Sequence, residues 1–256
     1  MLFLPLLVGL ACAASASVFG SDDRQVVSHA RGSIFAPIGV AYDPANDRYG
    51  TAVLVDECHA LTAEHVAAVD GSDPRGTRFD FLVGQDGRLR FERRSGATVI
   101  ASGGFDEGKW NRGADWLLLK LDQCLGREFG HVKLSRSLPP VRTALHSAGY
   151  PSDRLSLKGQ LVVDPQCKVV GEADSVWLHT CAGRAGDSGG PLFRLDQTAG
   201  GPEIHVYAIQ AAAFPAHVAR EPTPRDFDPA RPFTGLNEAV PVANILPRIA
   251  KYLGAP

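Results

Sequence analysis

The stretch Gly183-Arg-Ala-Gly-Asp-Ser-Gly-Gly-Pro-Leu-Phe193 (GRAGDSGGPLF) crowds four glycines and a proline around one acid and one hydroxyl. Glycine weakens ordinary helix and strand. It is retained where φ must be positive or where another group must approach the backbone closely. The cluster around Ser188 therefore reads as a tight loop that exposes its N–H groups. A plain surface turn would carry the same letters, so the loop acquires meaning only if partners for the serine exist elsewhere in the chain.

The chain has 256 residues, enough for one large domain or two small ones with ample core. Its net charge of -2 argues against nucleic acid or an anionic membrane surface as the partner. Apolar residues make up 45% and charged residues 21%, as expected of a globular protein. The opening MLFLPLLVGLACAASAS (1–17) has an apolar run over Leu2 to Leu10 and an A-x-A step at Ala14-Ser15-Ala16, the pattern of a secretory leader. It lacks a positive first region, and a buried N-terminal helix or a lipid-bearing Cys12 are the competing readings. No later run approaches the roughly 18 apolar residues of a membrane span. The expectation is a secreted or periplasmic monomer without a membrane span.

Behind the leader stand Cys58, Cys124, Cys167 and Cys181. An even count in an exported chain favours disulfides. His179 and Cys181 are near neighbours, but no C-x-x-C or H-x-x-x-H accompanies them, so no metal site is expected. No cofactor motif is present either.

The body alternates short apolar runs with Gly, Pro and Asp. The runs are 50–56, 78–84, 97–103, 115–121, 159–164, 175–180 and 204–214, rich in β-branched and aromatic residues. This is the pattern of all-β barrels or sandwiches. Two segments read as helical: TAEHVAAV (62–69), with Thr62 as N-cap, and VANILPRIAKYL (242–253), which places Ile245, Ile249 and Leu253 on one face. A break falls at SRSLPPVRT (135–143). The proline-rich, charged stretch 214–235 reads as a long surface loop.

A serine hydroxyl needs a base to act as a nucleophile, and the base needs an orienting group. His65 follows an apolar strand in ALTAEHVA. Asp115 opens the apolar run DWLLLKL, where a buried carboxylate would demand a partner such as an imidazole N–H. Asp106 is a weaker rival, because no buried strand follows it. His29, His59, His131, His146, His179, His205 and His217 carry no motif and read as structural.

LTAEH resembles the L-T-A-A-H segment of chymotrypsin-like serine peptidases, DWLLLKL resembles their D-I-A-L-L-K-L strand, and GDSGGP matches their nucleophile loop. The order His, Asp, Ser is that family's order. VFGSDDR (18–24), AGYPSDR (148–154), LHTCAGRAGDSGGPLF (178–193) and LNEAVPVANI (236–245) are similar to the bacterial glutamyl-endopeptidase-like branch, so the resemblance spans about Val18 to Leu253.

The resemblance implies two six-stranded antiparallel β-barrels with the active site between them and a C-terminal helix. The domains are then 1–17 leader, 18–140 N-terminal barrel with His65 and Asp115, and 141–256 C-terminal barrel with Ser188. It implies a secreted serine endopeptidase acting on protein or peptide substrates. In it His65, Asp115 and Ser188 are catalytic, and the N–H groups of Gly186 and Ser188 form the oxyanion hole. Gly189 and Gly190 would let the chain turn away from substrate. A non-catalytic binding protein on the same fold is the alternative. Cys167–Cys181 matches the branch pattern, and Cys58–Cys124 would tie the two strands that carry His65 and Asp115.

The specificity pocket falls on Ala182, Gly183, Gln210 and Ala211. Trypsin-like enzymes carry an aspartate where Ala182 stands. Glutamyl endopeptidases carry a threonine where Gly183 stands and a histidine where Gln210 stands. A neutral pocket is therefore expected. The family acid at Asp187 pairs with a freed N-terminal ammonium, here Val18, or with another local donor.

Overall fold

The computed structural model describes residues 18–19, 22–67, 73–85, 91–106, 109, 111–137, 142–152, 160–212, 217–218 and 236–253. The leader and most of the 214–235 stretch lie outside them. Two short strands come first, β1 (Val18–Phe19) and β2 (Gln25–Val26). Six strands then close a barrel: β3 (Ile38–Asp43), β4 (Arg48–Leu54), β5 (His59–Thr62), β6 (Arg78–Gln85), β7 (Phe91–Ser102) and β8 (Leu117–Leu121). Their order round the barrel is β3-β4-β5-β8-β7-β6.

After a single helical turn, α1 (Gly126–Phe129), and the short β9 (Lys133–Leu134), a second ring forms. It uses β10 (Ala144–Gly149), β11 (Val162–Ala173), β12 (Val176–His179), β13 (Pro191–Thr198) and β14 (Gly201–Ala212). β15 (His217–Val218) pairs with β1, and β16 (Asn237–Pro241) completes the ring. The path β10-β13-β14-β16-β12-β11 returns on itself through the β10–β11 pairing. β2 and β9 are added to this second sheet, on β11 and β14. Helix α2 (Val242–Ile249) ends the fold and buries Ile245 and Ile249. No helix among the described residues is long and apolar enough to cross a membrane.

The apolar runs explain how the two rings meet. In a half-buried strand, apolar and polar residues alternate; an uninterrupted run means that both faces are covered. On β8, Leu117, Leu119 and Leu121 fill the first barrel with Phe79, Phe81 and Leu54. Leu118 points the other way, and with Trp116 joins a core that also holds Tyr150, Phe193, Ile209 and Val240 of the second ring. β4 divides in the same manner, Ala52 and Leu54 inward, Val53 toward the shared core. Burying each such Leu is worth about 1.5–3 kcal/mol. Because β4 and β8 carry the shared core, their ends are brought to the seam between the rings.

Both cysteine pairings are present: Cys58–Cys124 closes 66 residues and Cys167–Cys181 closes 14. Loops of these lengths give about 3–4 kcal/mol each in the chain-entropy account.

Two local readings change. The 62–69 segment is not a two-turn helix: β5 runs through Thr62, and a single 3-10 turn follows over Glu64–Ala67. Thr62 does not cap it. Its hydroxyl donates to the carbonyl of Thr51 at 2.8 Å, holding β5 to β4 inside the barrel. Residues 38–43, 144–149 and 191–198 form strands β3, β10 and β13, though they stood outside the predicted apolar runs, and 237–241 forms the closing strand β16 that the resemblance implied.

Candidate active site

Each of the three residues sits just outside a strand that the shared core fixes. His65 lies on the 3-10 turn after β5. Asp115 follows a second 3-10 turn, Arg112–Ala114, and precedes β8. Ser188 lies on the turn between β12 and β13. The structure brings them into one chain of hydrogen bonds. His65 Nδ1 is 2.7 Å from Asp115 Oδ2, and His65 Nε2 is 2.8 Å from Ser188 Oγ. Asp115 Oδ1 also accepts the backbone N–H of His65 at 2.9 Å, so one carboxylate fixes both the ring and the turn that carries it. The Asp115 side chain is 4% exposed and that of His65 35%. An acid with both oxygens occupied, shielded behind a base open to solvent, holds Nδ1 as the donor and leaves Nε2 free to accept the hydroxyl proton. Asp106 is not in the chain; it pairs with Lys109 at 2.9 Å.

The glycines of the opening stretch now have specific reasons. Gly186 has φ +97°, and a Cβ there would lie 2.2 Å from the Tyr150 carbonyl oxygen. Gly189 has φ +82°, and its Cβ would lie 2.3 Å from the Thr51 oxygen and 2.4 Å from the Thr62 hydroxyl. Gly189 is thus pressed against the first barrel, and Gly186 against Tyr150 at the seam. Thr51 completes the clamp. Its N–H donates to the Ser188 carbonyl and its hydroxyl to the Gly186 carbonyl, both at 2.8 Å. The same hydroxyl accepts the Tyr150 N–H at 3.1 Å. A barrel residue without a sequence motif thus holds the nucleophile loop at both ends. Among the described residues, no group accepts from the N–H of Gly186 or Ser188. Two N–H donors beside the hydroxyl are the requirement for stabilising an oxyanion.

Asp187 is buried, and its Oδ2 accepts the Arg184 N–H at 3.0 Å. It lines a narrow cavity with Arg24, Asp164, Ala182 and Gln210. Val18 is buried in its parallel pairing with 217–218.

Around the expected pocket, Ala182, Gln210 and Ala211 are buried. Gln210 is bound through its backbone, its N–H to Gly190 O at 2.8 Å and its carbonyl to the Gly189 N–H at 2.7 Å. Its side-chain Nε2 has no hydrogen-bond partner among the described residues. Gly183 lies on the loop beside Ala182. Beside Asp187, a second acid, Asp164, lies against this wall; its Oδ2 accepts the Ala182 N–H at 2.6 Å and its Oδ1 that of Gln166 at 3.2 Å. Burial raises its pKa above the usual carboxylate range against those two bonds.

A buried ion pair that no sequence motif marks lies close by. Arg112, three residues before Asp115, pairs with Glu238 on β16, and both side chains are under 10% exposed. The pair spans the seam between the rings.

The sequence model of the family described as Trypsin matches residues 39–220. The chain belongs to the trypsin family. A solved Glu endopeptidase, determined in complex with MPD, matches the fold with a TM-score of 0.68. The match covers 92% of this chain and 98% of that one at 16% sequence identity. A search of curated proteins finds no match. This member of the trypsin family is a serine endopeptidase with the two-ring, chymotrypsin-like fold.

Proposed function

We propose that this peptidase cleaves peptide bonds through an acyl-enzyme on Ser188, with His65 as the general base and Asp115 as its orienting acid. The observation that supports this most is the continuous hydrogen-bond chain from the buried Asp115 carboxylate through both His65 nitrogens to Ser188 Oγ. In the first step Ser188 Oγ bonds to the scissile carbonyl carbon and its proton passes to His65 Nε2. The carbonyl oxygen becomes an oxyanion held by the N–H groups of Gly186 and Ser188. As the oxyanion collapses, the carbon–nitrogen bond breaks and His65 returns the proton to the leaving amine. A water molecule then repeats the sequence, losing its proton to His65 and releasing the acid product and Ser188. Asp115 remains ionised throughout and stabilises the imidazolium that forms at each step.

The chain is read as secreted or periplasmic, with residues 1–17 as a leader that is removed. The two disulfides support an oxidising compartment. The division into 18–140 and 141–256 domains is supported by the six-strand barrel lying within the first and the second ring within the other, with β2 and β9 crossing to the second sheet. Asp187 orders the oxyanion loop by pairing with the freed Val18 ammonium or with a local donor such as the Arg184 N–H.

The specificity pocket is neutral and takes a small to medium apolar P1 side chain. Ala182, Gly183 and Ala211 carry no charge, and each Asp164 oxygen already accepts one N–H. Burying a substrate Lys, Arg or Glu there without a partner would cost several kcal/mol. The spare Gln210 Nε2 supplies one hydrogen-bond donor. A P1-randomised peptide library tests the function and the pocket together: cleavage is expected after small to medium apolar residues. A strong preference for Glu, or for Lys and Arg, would show the pocket assignment to be wrong.

A further inference from the structure

Where the family segment reads L-T-A-A-H, this chain has Glu64 directly before His65. A carboxylate in place of a methyl group would ordinarily turn to water, yet Glu64 is only 1% exposed. Its Oε2 accepts the N–H of Gly104 at 2.9 Å, and the N–H groups of Phe105 and Gly103 also bear on the carboxylate. The successive Gly104 and Phe105 N–H groups turned to one carboxylate make a small anion cradle. The loop that supplies them is not remote. Phe105 meets the His65 ring edge to face, with centroids 6.5 Å apart, and the Gly103 N–H donates to the Trp116 carbonyl, one residue past Asp115. The Glu64 carboxylate therefore joins the turn carrying His65 to the loop walling it and, through that loop, to the Asp115 strand.

We propose that Glu64 is a positioning residue for the reaction: its buried carboxylate clasps the 103–105 loop to the histidine turn and so fixes Phe105 against His65. The inference rests on the peptidase reading above. Glu64 also lines a cavity of about 540 Å3 behind the triad. The charged groups around it are Asp115 and His65 from the triad, Asp106 and Lys109 from beyond the 103–105 loop, Arg248 and Lys251 from the end of the chain, and Asp73 and Arg75 across the cavity. Asp106 and Asp73 are themselves paired, with Lys109 and Arg75.

Burial lifts the Glu64 pKa from its usual value to about 7, with the Asp115 charge adding to the rise and the backbone N–H groups opposing it. The clasp is thus strengthened within the working range. Ionised, the carboxylate accepts charge-assisted bonds roughly twice as strong as neutral ones. Protonated, it presents an O–H among N–H donors and holds the loop less well. The linked stability has the opposite sign. With the folded pKa raised, the folded state binds the extra proton between the unfolded value and about 7, so global stability falls as pH rises through that window.

Glu64→Gln imitates the protonated form and tests the clasp. The ratio of wild-type to E64Q kcat/KM should be close to one at pH 6 and climb to about tenfold at pH 8.5. Tenfold is about 1.4 kcal/mol, close to the lower end for one hydrogen bond to a charged group. A merely structural role would give a ratio that is the same at every pH, and that result, like a ratio of one throughout, overturns the proposal. A second measurement needs only the wild-type protein and no turnover. The exchange protection of the Gly104 amide, corrected for intrinsic pH dependence, should increase as pH passes through 7. Unchanged protection contradicts the clasp. Inactivity of the wild type on every peptide would count against the peptidase reading instead, and the amide measurement separates the two failures.

Discussion

Ser188→Ala and His65→Ala are each expected to lower kcat by about 10⁶, because nucleophile and base act as one unit and removing either removes the unit's contribution. The structure gives the reason for expecting similar losses. Nε2 of His65 makes its hydrogen bond to Ser188 Oγ at 2.8 Å, so removing either atom breaks the same proton path. Asp115→Asn should cost about 10⁴. In that variant the carboxamide still fits the site, but it cannot accept from both the ring N–H and the backbone N–H while its amide nitrogen faces one of them. The His65 tautomer is then wrong for taking the serine proton. Steady-state kinetics on the best substrate from the P1 library would measure all three. Circular dichroism of Ser188→Ala should be unchanged, since the loop is held by the Thr51 bonds and not by the serine hydroxyl.

The second large effect concerns stability. Arg112→Met is expected to cost about 3–5 kcal/mol, the usual loss when one member of a buried ion pair is left alone. Glu238 is buried, its pKa is raised by that burial against the pull of Arg112, and one of its oxygens already lacks a hydrogen-bond partner among the described residues. Without Arg112, the carboxyl must either stay charged in the seam or take up a proton. The expected fall in Tm is on the order of 10 °C for a chain of this size. The Arg112→Met, Glu238→Met double variant should recover much of the loss, because no charge is then stranded. Thermal unfolding of the three variants would decide. Equal losses in the single and double variants would mean that the pair's packing, not its charge, matters.

Much of the fold was legible where local chemistry is strong. The apolar run 115–121 announced a strand buried on both faces, and GDSGGP announced a tight glycine loop that gained meaning from His65 and Asp115. The Cys167–Cys181 and Cys58–Cys124 pairings followed from the family pattern and from the positions of the strands. The unreadable parts are those decided by distant partners. Thr62 has the chemistry of a helix cap, yet its hydroxyl is taken by Thr51 across the barrel. The 62–69 segment has helical spacing, yet β5 runs through Thr62 and the described residues after it, Glu64–Ala67, make a 3-10 turn whose His65 N–H is held by Asp115. Thr51 itself looks like any strand threonine until Gly186 and Ser188 are set against it. Arg112 and Glu238 are 126 positions apart, and nothing near either one signals the other. Glu64 could have been noticed, since it stands in a motif where the family segment has alanine. What the sequence does not tell is that the side chain turns inward, which depends on the N–H groups of a loop 40 residues away.

The central claim is that Ser188 is the nucleophile made reactive by His65. Labelling with an active-site-directed fluorophosphonate, followed by peptide mapping, tests it most directly. The wild type should carry one phosphonyl group on Ser188, and both His65→Ala and Ser188→Ala should resist labelling under the same conditions. Stoichiometric label on another residue, or full labelling of the Ser188→Ala variant, would contradict the account.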